Sequence, residues 1–208
     1  MARRLVLLDF RLTGMVTDGI GEVIRVGAGT DIRKAFNKIA ARAVGLGGLD
    51  DLLICCHGFE ALVEDYDGQF SFMSGGFGLQ LCAENLTRAN VGVTAVLKAD
   101  PPLLPLVQRI VVFSCAAADT HRLTKALGAD GKRLMGALAL TTGARVVAST
   151  ATQRYSLIPG VAQSLRSAGG QNDWRIDFGE WEGDVYEFSP DDGSARRLKP
   201  DQHPRFAF

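Results

Sequence analysis

Two side chains in this sequence are of types that can act together as a base and a nucleophile. The run LLICC, Leu52 to Cys56, is wholly apolar and leads straight into His57-Gly58. A second run, RIVVFS from Arg109 to Ser114, ends on Cys115. A free thiol has a pKa near ~8.5 and is mostly protonated at neutral pH. An imidazole beside it raises the thiolate fraction and makes an activated nucleophile. Gly58 lets the backbone come close to an acyl carbon. Its N–H and that of Cys115 are candidate donors to a developing oxyanion, and one such donor typically lowers a barrier by about 3–4 kcal/mol. The small residues Ala116 to Ala118 that follow the cysteine crowd a substrate little.

The other chemistry-bearing residues read as structural. Cys55, Cys56 and His57 are consecutive, so on a strand they diverge and cannot converge on a tetrahedral metal. There is no CxxC pair, and the acidic stretch Asp65-Tyr66-Asp67-Gly68 is too short for a calcium ligand count. No metal site and no cofactor are expected. Cys82 reads as a core thiol. His121 is a rival base in the loop or helix after Cys115, and His203 sits in a polar, proline-bounded tail.

For the pair to meet, the two apolar runs must be neighbouring parallel strands. The chain supports that arrangement. RLVLLDF (from Arg4) and GEVIRVG (from Gly21) read as strands. TDIRKAFNKIAARAVG carries Ile32, Phe36, Ile39, Ala40 and Ala43 on one helical face, with Thr30 or Asp31 as cap and Gly45 as its end. LLICC and RIVVFSC have the continuous apolar character of central parallel strands. ENLTRANVGVTAVLK reads as a helix weakened by Val91 and Thr94. GKRLMGALALTTG after Asp130 reads as a helix, and ARVVAST as a further strand. Strand and helix alternate, so an α/β fold with a mostly parallel sheet and right-handed crossovers is predicted. In such a sheet ligands bind at the carboxyl edge, where His57 and Cys115 would both emerge. Residues 64–80 change character, with glycines at 68, 75, 76 and 78, and predict a hairpin or loop able to close over a substrate. WRIDFGEWEGDVYEFSPDDGSARRLK reads as a C-terminal β-hairpin closing one side of the sheet.

The chain has 208 residues, 47% of them hydrophobic, enough for one domain over 1–208 with a β-rich extension at 171–208. The 23 basic and 23 acidic residues balance, which argues against nucleic acid or an anionic membrane as the main partner. The apolar run Leu5 to Leu8 is too short for a signal peptide and is cut by Asp9. Reduced thiols in a cytoplasmic location are therefore expected.

The motifs ICCHG and VVFSC resemble those of the caspase-like cysteine peptidases: caspases, metacaspases, gingipains, clostripain, separase and bacterial CHAT domains. VLLDFRLTG, LLICCHG, VVFSCAAA and TTGARVVAST together are more similar still to a caspase-like domain found near the head of large bacterial surface and secreted proteins. The likeness covers roughly residues 4 to 155. It implies a three-layer α/β/α sandwich and a Cys-His dyad that cleaves peptides, with no cofactor and a protein or peptide as partner. Cys115 would match the nucleophile, His57 the base, and Gly58 and Cys115 the oxyanion donors. The substrate-binding positions would fall on Asp9, Arg11, Phe113, and Ser149, Thr150 and Gln153. Phe113 departs from the residues that better-known branches carry there, and Asp9 and Arg11 would favour opposite substrate charges. A catalytically silent binding or regulatory module is the second expectation. A nucleotide binder is a third, on the strength of GAGTD (Gly27 to Asp31) between a strand and a helix, although that stretch lacks full GxGxxG spacing.

Overall fold

The structure, a computed structural model, describes residues 2–12, 21–59, 61–64, 71–98, 105–120, 130–151, 153, 156–159, 174–177 and 180–206. Seven strands form the main sheet. They are β1 (Arg4–Asp9), β2 (Glu22–Val26), β3 (Leu49–Cys55), β8 (Val107–Phe113), β9 (Arg145–Ser149), β12 (Val185–Phe188) and β13 (Ala195–Arg197). Their order is β13-β12-β9-β8-β3-β1-β2. The five strands from β2 to β9 are mutually parallel, and β12 and β13 add antiparallel strands beyond β9. The fold is therefore α/β with a mostly parallel sheet, as the alternating pattern predicts.

The central strands read as continuous apolar runs because both their faces are covered. Leu5, Leu7, Leu52, Ile54 and Val112 point into one core. Val6, Leu8, Leu53, Val111 and Phe113 point into the other. Each such side chain contributes about 1.5–3 kcal/mol by leaving water. The first core is roofed by α1 (Ile32–Gly45), a 3-10 helix (Val91–Leu97) and α2 (Gly131–Thr142). All three lie in connections that run the same way along the sheet, β2 to β3, β3 to β8 and β8 to β9. Crossovers of one hand running in one direction must lie on one face. The second core is closed in part by Leu12, Trp181 and Phe206.

The caps follow the sequence closely. Asp31 accepts from the Lys34 amide at 2.8 Å, and Asp130 from that of Arg133 at 3.1 Å. Gly143 ends α2 in the left-handed region at φ 70°. The stretch expected as a helix around 84–98 differs: it is a turn followed by the 3-10 helix. Gly92 and the β-branched Val91, Val93, Thr94 and Val96 disfavour an α-helix there. β5 (Ala61–Glu64) and β6 (Ser71–Ser74) pair antiparallel, so the glycine-containing stretch does hold a hairpin. Residues 65–70, including Gly68 and the acidic stretch, lie outside the described residues, as does His121. β10 (Ser156–Pro159) pairs with β11 (Trp174–Asp177) apart from the main sheet.

Candidate active site

β3 and β8 are adjacent and parallel, with Cys55 opposite Phe113, and the Cys56 amide donates to the Phe113 carbonyl at 3.2 Å. The next residues along each strand are His57-Gly58 and Ser114-Cys115. His57 and Gly58 form a two-residue strand, β4, paired antiparallel with β7 (Leu79–Gln80). Phe59 donates to Gly78, and the Leu79 amide is taken by Leu86, so the Gly58 N–H is turned away from β7. On its other side Gly58 lies against the end of β8. A Cβ built on it would fall 2.0 Å from the Cys115 carbonyl oxygen and 3.1 Å from the Ser114 Oγ. The two strand ends therefore meet, and only a glycine fits between them.

Cys115 is half-buried and opens a tight turn. Ala116 sits at φ 44°, in a region that costs an L-residue about 1–2 kcal/mol. The turn is pinned by Ala116 N donating to Ala151 O and Ala118 N to Ser149 O, both at 2.9 Å. Beneath it the Gly75 amide donates to Asp119 Oδ2 at 3.1 Å, and a Cβ on Gly75 would fall 2.3 Å from that of Ala116. Gly75 and Gly76 thus pack against the turn; of the stretch expected to close over a substrate, 68–70 lie outside the described residues. The Cys115 thiol donates to the Gln153 carbonyl at 3.9 Å.

The His57 ring is held by its Nε2, 3.3 Å from the Arg11 carbonyl. A carbonyl can only accept, so this contact assigns the proton to Nε2 and leaves Nδ1 as the basic nitrogen. Of the four cysteines, Cys55, Cys56 and Cys82 are buried. Burial pushes the thiols of Cys56 and Cys82 up to about 12 and that of Cys55 higher, which keeps them protonated at neutral pH.

The positions assigned to substrate binding are already engaged. Asp9 is fully buried. Arg11 grips it through Nε at 2.8 Å and Nη2 at 2.6 Å, and Asp9 also accepts from the amides of Arg11 and Cys82. Burial alone would raise the Asp9 carboxyl, but those hydrogen bonds outweigh it and hold it below the ordinary aspartate range. The two charges cancel each other. Phe113 points into the second core, stacked on Trp181 at 4.9 Å and edge-on to Phe206 at 5.8 Å. The Ser149 hydroxyl donates to the Glu182 carbonyl, and Thr150 Oγ1 accepts from the Asp184 amide at 3.2 Å. Gln153 is buried, with its side chain on Ala151 and Glu182. At the start of α1 the Lys34 amide is taken by Asp31 and that of Ile32 by Glu84. These carboxylates repel a phosphate and weigh against nucleotide binding at GAGTD.

Sequence reasoning missed the Arg11 carbonyl and the Glu182 backbone, because backbone groups leave no signal in residue types. The Asp9-Arg11 pairing left none either: β1 ends at Asp9, and Arg11 lies in the turn beyond it, where strand alternation no longer sets the face. Among the described residues no group of three or more His, Cys, Asp or Glu side chains converges on a metal position. Nor is any described helix long and apolar enough to cross a membrane. The fold and the site define an α/β protein with an imidazole and a thiol on adjoining strand ends. Comparison of the chain with family models, curated proteins and solved structures gives no match.

Proposed function

We propose that this protein is a cysteine endopeptidase of caspase-like type, acting through Cys115 and His57. The observation that carries the reading is the approach of Gly58 to Cys115, which brings the residues flanking both candidate groups into contact. In this reading His57 Nδ1 takes the Cys115 proton, and the thiolate attacks the carbonyl carbon of the scissile peptide. The N–H groups of Gly58 and Cys115 receive the oxyanion. The imidazolium then returns the proton to the departing amine, leaving an acyl-enzyme. A water molecule, deprotonated by the same imidazole, hydrolyses it and frees the thiol. The helices of the first core would form one outer layer of a three-layer sandwich, and β12 with β13 the C-terminal hairpin. The reading carries with it a cytoplasmic location, a peptide or protein as substrate, and no nucleic-acid or membrane partner.

A catalytically silent module is favoured by one specific observation: Asp9 and Arg11 neutralise each other instead of offering a charge to a substrate. Two measurements on the intact chain separate the readings. At pH 7 an iodoacetamide probe is expected to label Cys115 alone among the four cysteines, faster than a small free thiol, and more slowly after His57→Ala. A peptide-library digest is expected to show reproducible cleavage that disappears with Cys115→Ala. Ordinary thiol reactivity together with no Cys115-dependent cleavage would refute the peptidase.

A further inference from the structure

We infer that Gln153 is a positioning residue for Cys115, its side chain clamping the backbone that holds the thiol; this rests on Cys115 being the nucleophile. Three observations converge. Gln153 Nε2 donates to the Ala151 carbonyl at 3.2 Å, and that same oxygen accepts from Ala116 N, the residue held at positive φ directly after Cys115. The side chain also pairs with the Glu182 backbone in both directions: Nε2 donates to Glu182 O at 2.9 Å, and Glu182 N donates to Oε1 at 3.3 Å. The carbonyl of Gln153 itself accepts from the Cys115 thiol. One buried amide thus fixes both the turn that carries the sulfur and the acceptor of its proton.

The clamp reaches beyond residues 151–153. The Ser149 hydroxyl shares the Glu182 carbonyl, and Trp181, the next residue, stacks on Phe113 and donates from Nε1 to Pro204 O at 2.9 Å. The segment around Glu182 is thereby anchored to the sheet on both sides of the clamp. Cys56, from the β3 side, lies close enough to Cys115 for the two to interact electrostatically, and the Asp119 carboxylate in the same turn accepts from the Gly75 amide. A carbonyl that accepts from the thiol favours its protonated form, so loosening the clamp releases the sulfur and lowers its pKa. The same loosening lets the Cys115 turn shift relative to Gly58, against which the Cys115 carbonyl is packed, and this slows attack on a bound peptide. Opposite signs for a small reagent and a substrate, with Cys55, Cys56 and Cys82 still unlabelled, are the signature of positioning; general loss of structure exposes those three buried thiols to the reagent as well.

The test compares Gln153→Ala, Gln153→Met and Glu182→Ala with the wild type in the full chain. The Met variant keeps the volume and discards the amide, so it answers if the Ala variant does not fold. Both Gln153 variants are expected to shift the pH profile of iodoacetamide alkylation at Cys115 downward by about half a unit, a roughly threefold gain in rate at pH 7. Peptide cleavage is expected to fall about tenfold in kcat with little change in KM. Glu182→Ala should match the wild type, because only its backbone is used. Alkylation profiles that superimpose on the wild type's, or alkylation and cleavage that fall together, overturn the inference. If wild-type Cys115 cleaves nothing, the peptidase reading falls, and the alkylation comparison still decides the role of Gln153.

Discussion

Gly58→Ala tests the geometry on which the site depends. The added Cβ would fall 2.0 Å from the Cys115 carbonyl oxygen, where ordinary contacts begin at 3.4 Å, so the two strand ends must part by about 1.4 Å. The neighbour is backbone, and that backbone is pinned on its far side by Ala116 N on Ala151 O and Ala118 N on Ser149 O. Little relaxation is available. Overpacking of this kind costs about 1–3 kcal/mol, which for a chain of this size lowers Tm by roughly 3–10 °C. A displacement near 1 Å at reacting groups costs on the order of a hundredfold in rate. The assay is kcat/KM for a peptide found in the library digest, together with thermal unfolding followed by circular dichroism. Gly45→Ala is the control. A Cβ there meets nothing within 4 Å inside α1, and the substitution should stabilise by roughly 0.5–1 kcal/mol with activity unchanged. A Gly58→Ala protein with wild-type Tm and wild-type cleavage would mean that the two strand ends do not meet as described.

Two further outcomes follow from the engaged positions. Asp9→Asn leaves the Arg11 guanidinium without its counter-charge in a half-buried site, and is expected to cost about 2–4 kcal/mol at pH 7 by urea unfolding. The native carboxyl lies below its unfolded value, so its contribution is complete above about pH 4 and is lost as pH falls through the depressed native pKa; wild type and variant should converge in acid, and a constant gap down to pH 2 would refute the pairing. Phe113→Ala removes the ring stacked on Trp181 and should cost about 3–5 kcal/mol while leaving the preferred cleavage residue unchanged. A switch in cleavage preference would show that the side chain reaches the substrate after all.

Much of the scaffold was legible because its signals are local. The apolar runs of β1, β3, β8 and β9, the face of α1, and the caps Asp31, Asp130 and Gly143 are each written in a few neighbouring residues. That the ends of β3 and β8 adjoin, with Gly58 against Cys115, was legible at one remove, since neighbouring parallel strands share an edge. The content of the substrate-binding positions was not. Whether Asp9 and Arg11 face a ligand or each other depends on the Cys82 backbone, which is distant in sequence. Phe113 has its partners at positions 181 and 206. The stretch from Glu84 to Lys98 predicts a helix weakened by Val91 and Thr94. Its β-branched side chains and Gly92 settle for a tighter coil, and packing against α1 and α2 holds it.

The covering of Phe113 bears on how the chain is made. Strands β1, β3 and β8 are synthesised well before Trp181 and Phe206, the rings that shield it. At a translation rate of about 5–20 residues per second, that side chain waits roughly 5–20 seconds on the ribosome without them. A nascent chain stalled in that interval presents Phe113 without those two rings, and its stacking contact forms once Trp181 has been added and folded back across the strand.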